Sequence, residues 1–131
     1  VLQHLIDTDK LIFSLFLKAI LAGEESFPGF FPDEQGSKAS HDITPMQLAQ
    51  EFEALRIENL KLVKTIQAED LPKQARHAEL GVVTLEELLF EWGGHDLMHL
   101  VQAEQAIMQP FINGCPPWES YFALHKATAK S

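Results

Sequence analysis

The feature that most constrains the fold is a long segment without proline, from Thr84 to about Gln109. Thr84 and Glu87 have the spacing of a capping box, which marks the beginning of a helix. Within the segment, side chains recur at steps of three or four, the spacing of a buried helix face: Leu88, Trp92, His95, His99 and Ala103. The segment therefore predicts a long amphipathic helix.

Two histidines and two glycines stand in the middle of this segment. His95 and His99 are one helical turn apart and project from the same face. Two imidazoles at this spacing can bind one metal ion, and a buried imidazole needs a partner of some kind. Gly93 and Gly94 each lower helix stability by roughly 1 kcal/mol relative to alanine. They predict that something approaches the helix backbone closely here.

The N-terminal region predicts a helix from Val1 to about Ala22, followed by Gly23 as the terminating residue. It is apolar nearly all round, which predicts a central position in the fold. One stripe at helical spacing carries a histidine and is interpreted as continuing into the core: His4, Thr8, Leu11 and Leu15.

A further helix is predicted from Ile43 to about Glu69. Thr44, Pro45 and Gln47 have the pattern of an N-cap, a first-turn proline and a capping box. Its core stripe consists of Leu48, Phe52, Leu55, Leu62 and Ile66.

The remaining segments predict loops and one short helix. Residues 24–42 are predicted to form a loop, because their proline and glycine residues interrupt helices. Phe27, Phe30 and Phe31 in this loop are interpreted either as pinning it to the helices or as part of a lid. Residues 70–83 are expected to form an exposed connector. A final helix is predicted from Trp118 to about His125, before a frayed end. No strand pattern or repeat is found, so the chain predicts an all-α bundle in one domain, residues 1–131.

Composition excludes several classes of function. The chain of 131 residues has 10 Lys and Arg against 19 Asp and Glu, a formal net charge of −9. This balance argues against non-specific binding to nucleic acid and against docking on anionic membranes. The single cysteine, Cys115, rules out an intramolecular disulfide and favours a reducing, cytoplasmic location. No apolar run is long enough for a transmembrane helix.

Three histidines fall on predicted apolar faces: His4, His95 and His99. If the first and third long helices pack side by side, they supply three nitrogen ligands and leave an open position, as in catalytic metal sites. Imidazole suits Zn²⁺ or Ni²⁺ and also allows Fe²⁺ or Mn²⁺. The alternative is a set of core histidines bonded to carboxylates. The candidates for that role are Asp7, Glu91 and Asp96.

Four motifs in order along the chain resemble the DinB/YfiT-like superfamily. The resemblance is carried by residues 4–7 (HLID, against HLxD), 76–89 (connector and helix start), 95–100 (HDLMHL, against HDxxHL) and 117–121 (PWESY, against PWxxY). It extends from His4 to Tyr121, nearly the whole chain.

The resemblance implies an antiparallel four-helix bundle that binds a divalent metal through three histidines, here His4, His95 and His99. Some members are metal-dependent transferases that use a low-molecular-weight thiol such as bacillithiol or mycothiol, and related members isomerise maleylpyruvate. Members usually carry a helix before the first histidine, whereas this chain begins three residues before it. We therefore expect that residues precede Val1 or that a partner covers the exposed apolar surface.

The resulting hypothesis is a metal-dependent transferase acting on a small-molecule substrate. The metal would bind a thiol or water and lower its pKa, with Asp7 and Asp96 accepting ring N–H groups of the ligands. Cys115 follows a turn with no evident activating base, so we do not expect it to be a nucleophile. Two alternatives remain: a non-catalytic metal-binding or small-ligand-binding bundle, and a metal-free interaction bundle. A homodimer is expected, since the apolar first helix needs cover.

Overall fold

The computed structural model describes residues 1–27 and 42–127. The interpretations of Phe30 and Phe31 lie outside these residues. The chain divides into two compact units, Val1–Gly93 and Gly94–Ser131. No helix of the described residues is long and apolar enough to cross a membrane.

The described chain is mostly helical and carries one small sheet. The helices are α1 (Leu2–Thr8), α2 (Ser14–Leu21), α3 (Pro45–Val63) and α4 (Leu85–Asn113), and the strands are β1 (Ser26–Phe27), β2 (Gln74–His77) and β3 (Gly81–Thr84). A π-helical segment, Asp9–Phe13, joins α1 to α2. Short 3₁₀ segments form at Ala68–Asp70 and Pro116–His125.

The N-terminal helical region has the predicted extent, and Gly23 follows it with a positive φ of 75°. Its predicted core stripe is wrong beyond Thr8, because Leu11 and Leu15 are exposed. Hydrogen bonds in the π-helical segment span five residues instead of four. Side chains after the segment are consequently rotated about the axis relative to those before it. The buried apolar side chains of this region are Ile6, Phe13, Phe16, Leu17, Ala19 and Ile20.

Both predicted capping boxes are confirmed. The Gln47 N–H donates to Thr44 Oγ1 at 3.1 Å, and the Thr44 N–H donates to Gln47 Oε1 at 2.9 Å. Glu87 N–H and Thr84 Oγ1 repeat the arrangement at the start of α4, also at 3.1 Å. Two side chains thereby satisfy backbone N–H groups that have no partner inside the helix.

The predicted C-terminal ends of α3 and α4 are less accurate. Helix α3 ends at Val63, before the predicted Glu69. Helix α4 continues past Gln109 and includes Pro110. Proline removes one backbone N–H, but its φ is compatible with a helix, and the Pro110 carbonyl still accepts from the Gly114 N–H at 3.1 Å.

The sheet corrects the prediction that residues 70–83 form a connector without strands, while the mostly helical structure is compatible with the predicted all-α class. Strand β2 pairs antiparallel with β3 and parallel with β1. The turn between β2 and β3 is closed by His77, whose Nδ1 accepts from the N–H groups of Glu79 (3.0 Å) and Leu80 (3.1 Å). Gly81 follows with φ 82°. Strands of four residues are too short for a recognisable alternating pattern.

The core of the first unit forms between the N-terminal helical region and the beginning of α4. Leu88 and Trp92, predicted to face the core, are 7% and 6% exposed. The rings of Phe13 and Trp92 stack with centroids 5.0 Å apart and planes inclined by 6°.

The second unit presents many apolar side chains to solvent. Among its described residues, His99 and Ile112 are buried. The exposed large apolar side chains of its part of α4 are Leu97, Met98, Leu100, Val101, Ile107 and Phe111.

Candidate metal centre

The candidate metal centre is built on the His95–His99 pair of α4. The two Nε2 atoms are 3.2 Å apart, and the rings are inclined by 74° with centroids 4.5 Å apart. Two nitrogens bound to one zinc ion in tetrahedral geometry would stand roughly 3.3 Å apart, given the usual Zn–N bond length. The observed separation therefore fits two ligands of one ion.

Gln102 orients one ring of this pair. Its Oε1 lies 2.7 Å from His99 Nδ1. A carbonyl oxygen can only accept, so this contact assigns the proton to Nδ1 and leaves a lone pair on the Nε2 that faces His95. A ligand histidine usually donates its second ring N–H to an oxygen in this way. His99 is 8% exposed, and burial limits the other orientations open to its ring.

His4, the third predicted ligand, lies on α1 and is half-buried. It belongs to the first unit, whereas His95 and His99 belong to the second. The predicted donor set consists of three imidazoles, which suits a borderline cation such as Zn²⁺ or Ni²⁺.

The two predicted orienting carboxylates differ in burial. Asp7 is 5% exposed and accepts from Gln3 Nε2 at 3.1 Å. Asp96 is half-buried. Sequence reasoning missed Gln102, although its position three residues after His99 is the signal that could have identified it, since residues three apart on a helix are neighbours.

The glycine pair beside the histidines does not serve a close contact within the described chain. A Cβ atom added at Gly93 or Gly94 would meet no other atom within 4 Å. The expectation of a close approach to the backbone at this point is therefore not met among the described residues.

The other described histidines have separate positions. His77 closes the β2–β3 turn through Nδ1, and its ring lies edge-on to Phe16 with centroids 5.9 Å apart. His125 is exposed, and its backbone carbonyl accepts from Gln109 Nε2 at 2.8 Å.

Cys115 lies in a different environment from the histidines. It is half-buried, and its thiol donates to the Ile112 carbonyl at 3.4 Å. It lines an apolar cavity of about 510 Å³ together with Met108, Phe111 and Trp118, among others. No charged or basic side chain lines this cavity, so its described walls offer no group that would activate the thiol.

A buried carboxylate in the first unit also escaped sequence reasoning. Asp9 is completely buried, and its side chain accepts from the side chains of Arg56, Asn59 and Trp92. The signal was an acidic residue in an apolar helix, which requires a paired or hydrogen-bonded environment.

No protein-family model matches this chain, and no curated protein matches it.

Proposed function

We propose that this chain is a DinB-like divalent-metal-binding protein of the four-helix-bundle type, in which His4, His95 and His99 bind one Zn²⁺ or Ni²⁺ ion. We propose further that it is a metal-dependent transferase acting with a low-molecular-weight thiol on a small-molecule substrate. The family assignment comes from the four motifs between His4 and Tyr121.

The observation that carries the metal proposal is the geometry of the His95–His99 pair. Their Nε2 atoms stand 3.2 Å apart, and His99 Nδ1 lies 2.7 Å from the Gln102 amide oxygen. Both features suit two neutral imidazoles that share one cation. The third ligand, His4, is proposed from the motif at residues 4–7, and a tetrahedral ion held by three imidazoles would keep one position open.

The residues of the chain have distinct tasks in this proposal. The three imidazoles bind the ion, and Gln102 fixes the tautomer and rotation of His99. A bound divalent ion would provide Lewis acidity that lowers the pKa of a thiol or water at its open position. His99 is buried, so the dielectric constant around its ring is low and electrostatic interactions of the ring are strengthened.

The metal proposal is tested by metal content and affinity. Tag-free protein, His99→Ala and the control His125→Ala are loaded with Zn²⁺, desalted and analysed by elemental mass spectrometry. We expect about one ion per chain in the wild type and in His125→Ala, and a loss of at least tenfold in affinity in His99→Ala. Equal binding by all three proteins would contradict the proposal.

Catalysis is tested separately from metal binding. Metal-loaded wild type and His95→Ala are assayed for consumption of bacillithiol, mycothiol or glutathione in the presence of electrophilic substrates. Thiol transfer that disappears in His95→Ala supports the transferase. Stoichiometric metal without any thiol transfer favours a non-catalytic metal-binding bundle instead.

A metal-free function is the second candidate, because 3.2 Å between nitrogens is also a hydrogen-bond distance. In that state one Nε2 donates to the other, and the pair is part of a polar core. Two results together would establish this alternative. The wild type would bind no metal, and the His95→Ala and His99→Ala variants would be less stable without any other loss.

We also propose a cytoplasmic homodimer. The support for self-association is a row of exposed apolar side chains on α4, at spacings of three, seven and four: Leu97, Leu100, Ile107 and Phe111. Light scattering should show a dimer in the wild type and a monomer for Leu100→Glu. The control Leu124→Glu, at a residue that is 90% exposed on another segment, should remain dimeric.

A further inference from the structure

The second unit contains a cavity of about 510 Å³ between the last turns of α4 and the 3₁₀ segment Pro116–His125. All of its described lining residues lie in this unit. The α4 side of the cavity includes Ile107 and the buried Ile112. The volume is within the range of small-molecule sites, which enclose roughly 300–1,000 Å³.

The described walls of the cavity are rich in aromatic rings and sulfur and carry no charge. Phe111, Trp118 and Phe122 supply three rings, and Met108 and Cys115 supply two sulfur atoms. Aromatic rings attract other rings in offset or edge-to-face arrangements, and sulfur contacts at ring edges are also favourable. A charged ligand would be buried here without a counter-charge, which is costly. The lining therefore favours a neutral aromatic ligand.

Polar contacts at both ends hold the 3₁₀ segment beside α4. At its start, the Cys115 N–H donates to the Ile112 carbonyl at 3.3 Å. At its end, the Gln109 side chain donates from Nε2 to the His125 carbonyl at 2.8 Å and accepts from the Ala127 N–H at 3.1 Å. No side chain of the segment is buried. The segment is therefore anchored at its ends, while its apolar side chains leave the space against α4 unfilled.

Two of the lining rings are largely exposed to solvent. Phe111 is 75% exposed and Trp118 is 58% exposed. Contact with an apolar ligand would remove this surface from water, which is favourable. A cavity of about 150 Å³ is enough to bind benzene, and this cavity is roughly three times as large, so it has room for two or three fused rings.

A second copy of the chain is the competing occupant, because Ile107 and Phe111 also belong to the row proposed for self-association. A cube of the cavity's volume has an edge of about 8 Å, whereas a helix with its side chains is about 10–12 Å across. The cavity thus fits a small molecule better than it fits a helix of a second copy.

From the lining, the volume and the anchored wall, we propose that the second unit binds a neutral molecule of two or three fused aromatic rings in this cavity. Ile107, the first lining residue, is eight residues after His99, about 12 Å along the helix axis. The proposed ligand site is therefore separate from the candidate metal centre and independent of the proposed metal function.

The test compares two dyes, the neutral N-phenylnaphthylamine and anilinonaphthalene sulfonate, which differs from it by one negatively charged group. Binding to the full chain is measured by dye fluorescence. Trp118→Ala removes a lining ring. The matched control is Tyr121→Ala, because Tyr121 belongs to the same segment, is 79% exposed and does not line the cavity. Occupancy of the cavity is measured separately by the rate at which iodoacetamide alkylates Cys115, the single cysteine.

We expect the wild type to bind the neutral dye about tenfold more tightly than the sulfonate. Trp118→Ala should bind the neutral dye about tenfold more weakly, whereas Tyr121→Ala should match the wild type within about twofold. Because Cys115 lines the cavity, the neutral dye at about ten times its Kd should slow alkylation about tenfold by mass action.

Three results would each overturn the proposal. Equal affinity for the two dyes, or equal affinity of Trp118→Ala and Tyr121→Ala for the neutral dye, would contradict binding by these walls. An unchanged alkylation rate with bound dye would show that the dye lies outside the cavity. Binding by the Leu100→Glu variant but not by the wild type would show that a second copy of the chain occupies the cavity.

Circular dichroism shows whether each variant is folded. If Trp118→Ala does not fold, Phe122→Ala removes another lining ring and is judged by the same criteria.

Discussion

Helix α4 carries two polar clusters one turn apart, and they are satisfied in opposite ways. At Trp92, the Asp9 carboxylate receives four hydrogen bonds from side chains, so its capacity as an acceptor is used within the chain. At His95 and His99, two ring nitrogens of the same kind face each other at 3.2 Å. Without a metal, one Nε2 must carry a proton and donate it to the other Nε2. When both nitrogens bind a cation, neither carries a proton.

The difference separates a structural cluster from one suited to binding. A buried anion whose donors come from three side chains is complete, and the addition of a ligand would disturb it. Two imidazoles that converge on one point are completed by a divalent cation, which accepts both lone pairs at once. The comparison predicts that substitutions at Asp9 act mainly on stability, whereas substitutions around His99 act mainly on metal binding.

The largest effect is expected from Asp9→Ala. It leaves the Arg56 guanidinium without its buried partner and should cost about 3–5 kcal/mol of unfolding free energy, measured by urea denaturation with circular dichroism. The control is Glu51→Ala, which breaks the exposed Lys10–Glu51 pair of 2.7 Å and should cost about 0–1 kcal/mol. If the two variants lose the same unfolding free energy, the Asp9 cluster is not the stabilising cluster that the comparison requires.

Substitution of Gln102 should separate binding from stability. Gln102→Ala removes the acceptor at His99 Nδ1 and should weaken Zn²⁺ binding by about 10–100-fold in a chelator competition, because ligand orientation is lost. Gln105→Ala, on the same helix, should leave the affinity unchanged. A normal affinity in Gln102→Ala would show that the ring of His99 does not need this partner.

His77 provides a histidine with a purely structural contact. His77→Ala removes the acceptor for the Glu79 and Leu80 N–H groups and should lower the unfolding free energy by about 1 kcal/mol. Metal content should not change. Reduced metal content in a folded His77→Ala protein would mean that the candidate centre is not confined to the three predicted ligands.

The smallest effect is expected at Asp70, a half-buried carboxyl in a short 3₁₀ segment. Hydrogen bonds from Lys73 and from the Gln67 N–H lower the pKa of this carboxyl below its ordinary value of 3.8. A lowered folded-state pKa adds stability above the unfolded-state pKa, and this stability is lost as the pH falls through the folded-state value. Asp70→Asn should therefore be slightly less stable at neutral pH, and its stability should decline less below about pH 4.

Urea denaturation at several pH values between neutral and acid checks this prediction. The same decline with acid in Asp70→Asn and in the wild type would assign the acid sensitivity to other carboxyl groups.

The parts of the fold that depend on near neighbours could be predicted from the sequence. The capping boxes at Thr44 and Thr84 use residues three apart, and both form as expected. The His95–His99 contact likewise follows from helical spacing alone.

The missed features depend on residues far apart in the sequence. The Asp9 side chain is paired with Arg56, 47 residues away, and with Trp92, 83 residues away. The π-helical segment that turns Asp9 inward has no local signal in an apolar helix. The β2–β3 pair was missed because its four-residue strands offer too few positions to distinguish alternation from chance.

The three ligands of the candidate centre remain a prediction, and the structure adds a hydrogen-bond partner for His99. His4 was identified from its place on the first helix and from the resemblance of residues 4–7 to a family motif. The sequence predicts Asp7 and Asp96 as acceptors for ring N–H groups of the ligands, and this role stays a prediction. The structure adds the Gln102 amide oxygen, which lies 2.7 Å from His99 Nδ1.

The most direct test of the central claim is X-ray absorption spectroscopy of the zinc-loaded protein, which counts and identifies the ligand atoms. We predict three imidazole nitrogens at about 2.0–2.1 Å from the zinc ion and an exchangeable fourth ligand such as water. The count should fall to two in His4→Ala. A zinc ion coordinated by sulfur from Cys115, or by oxygen atoms without imidazole, would contradict the account.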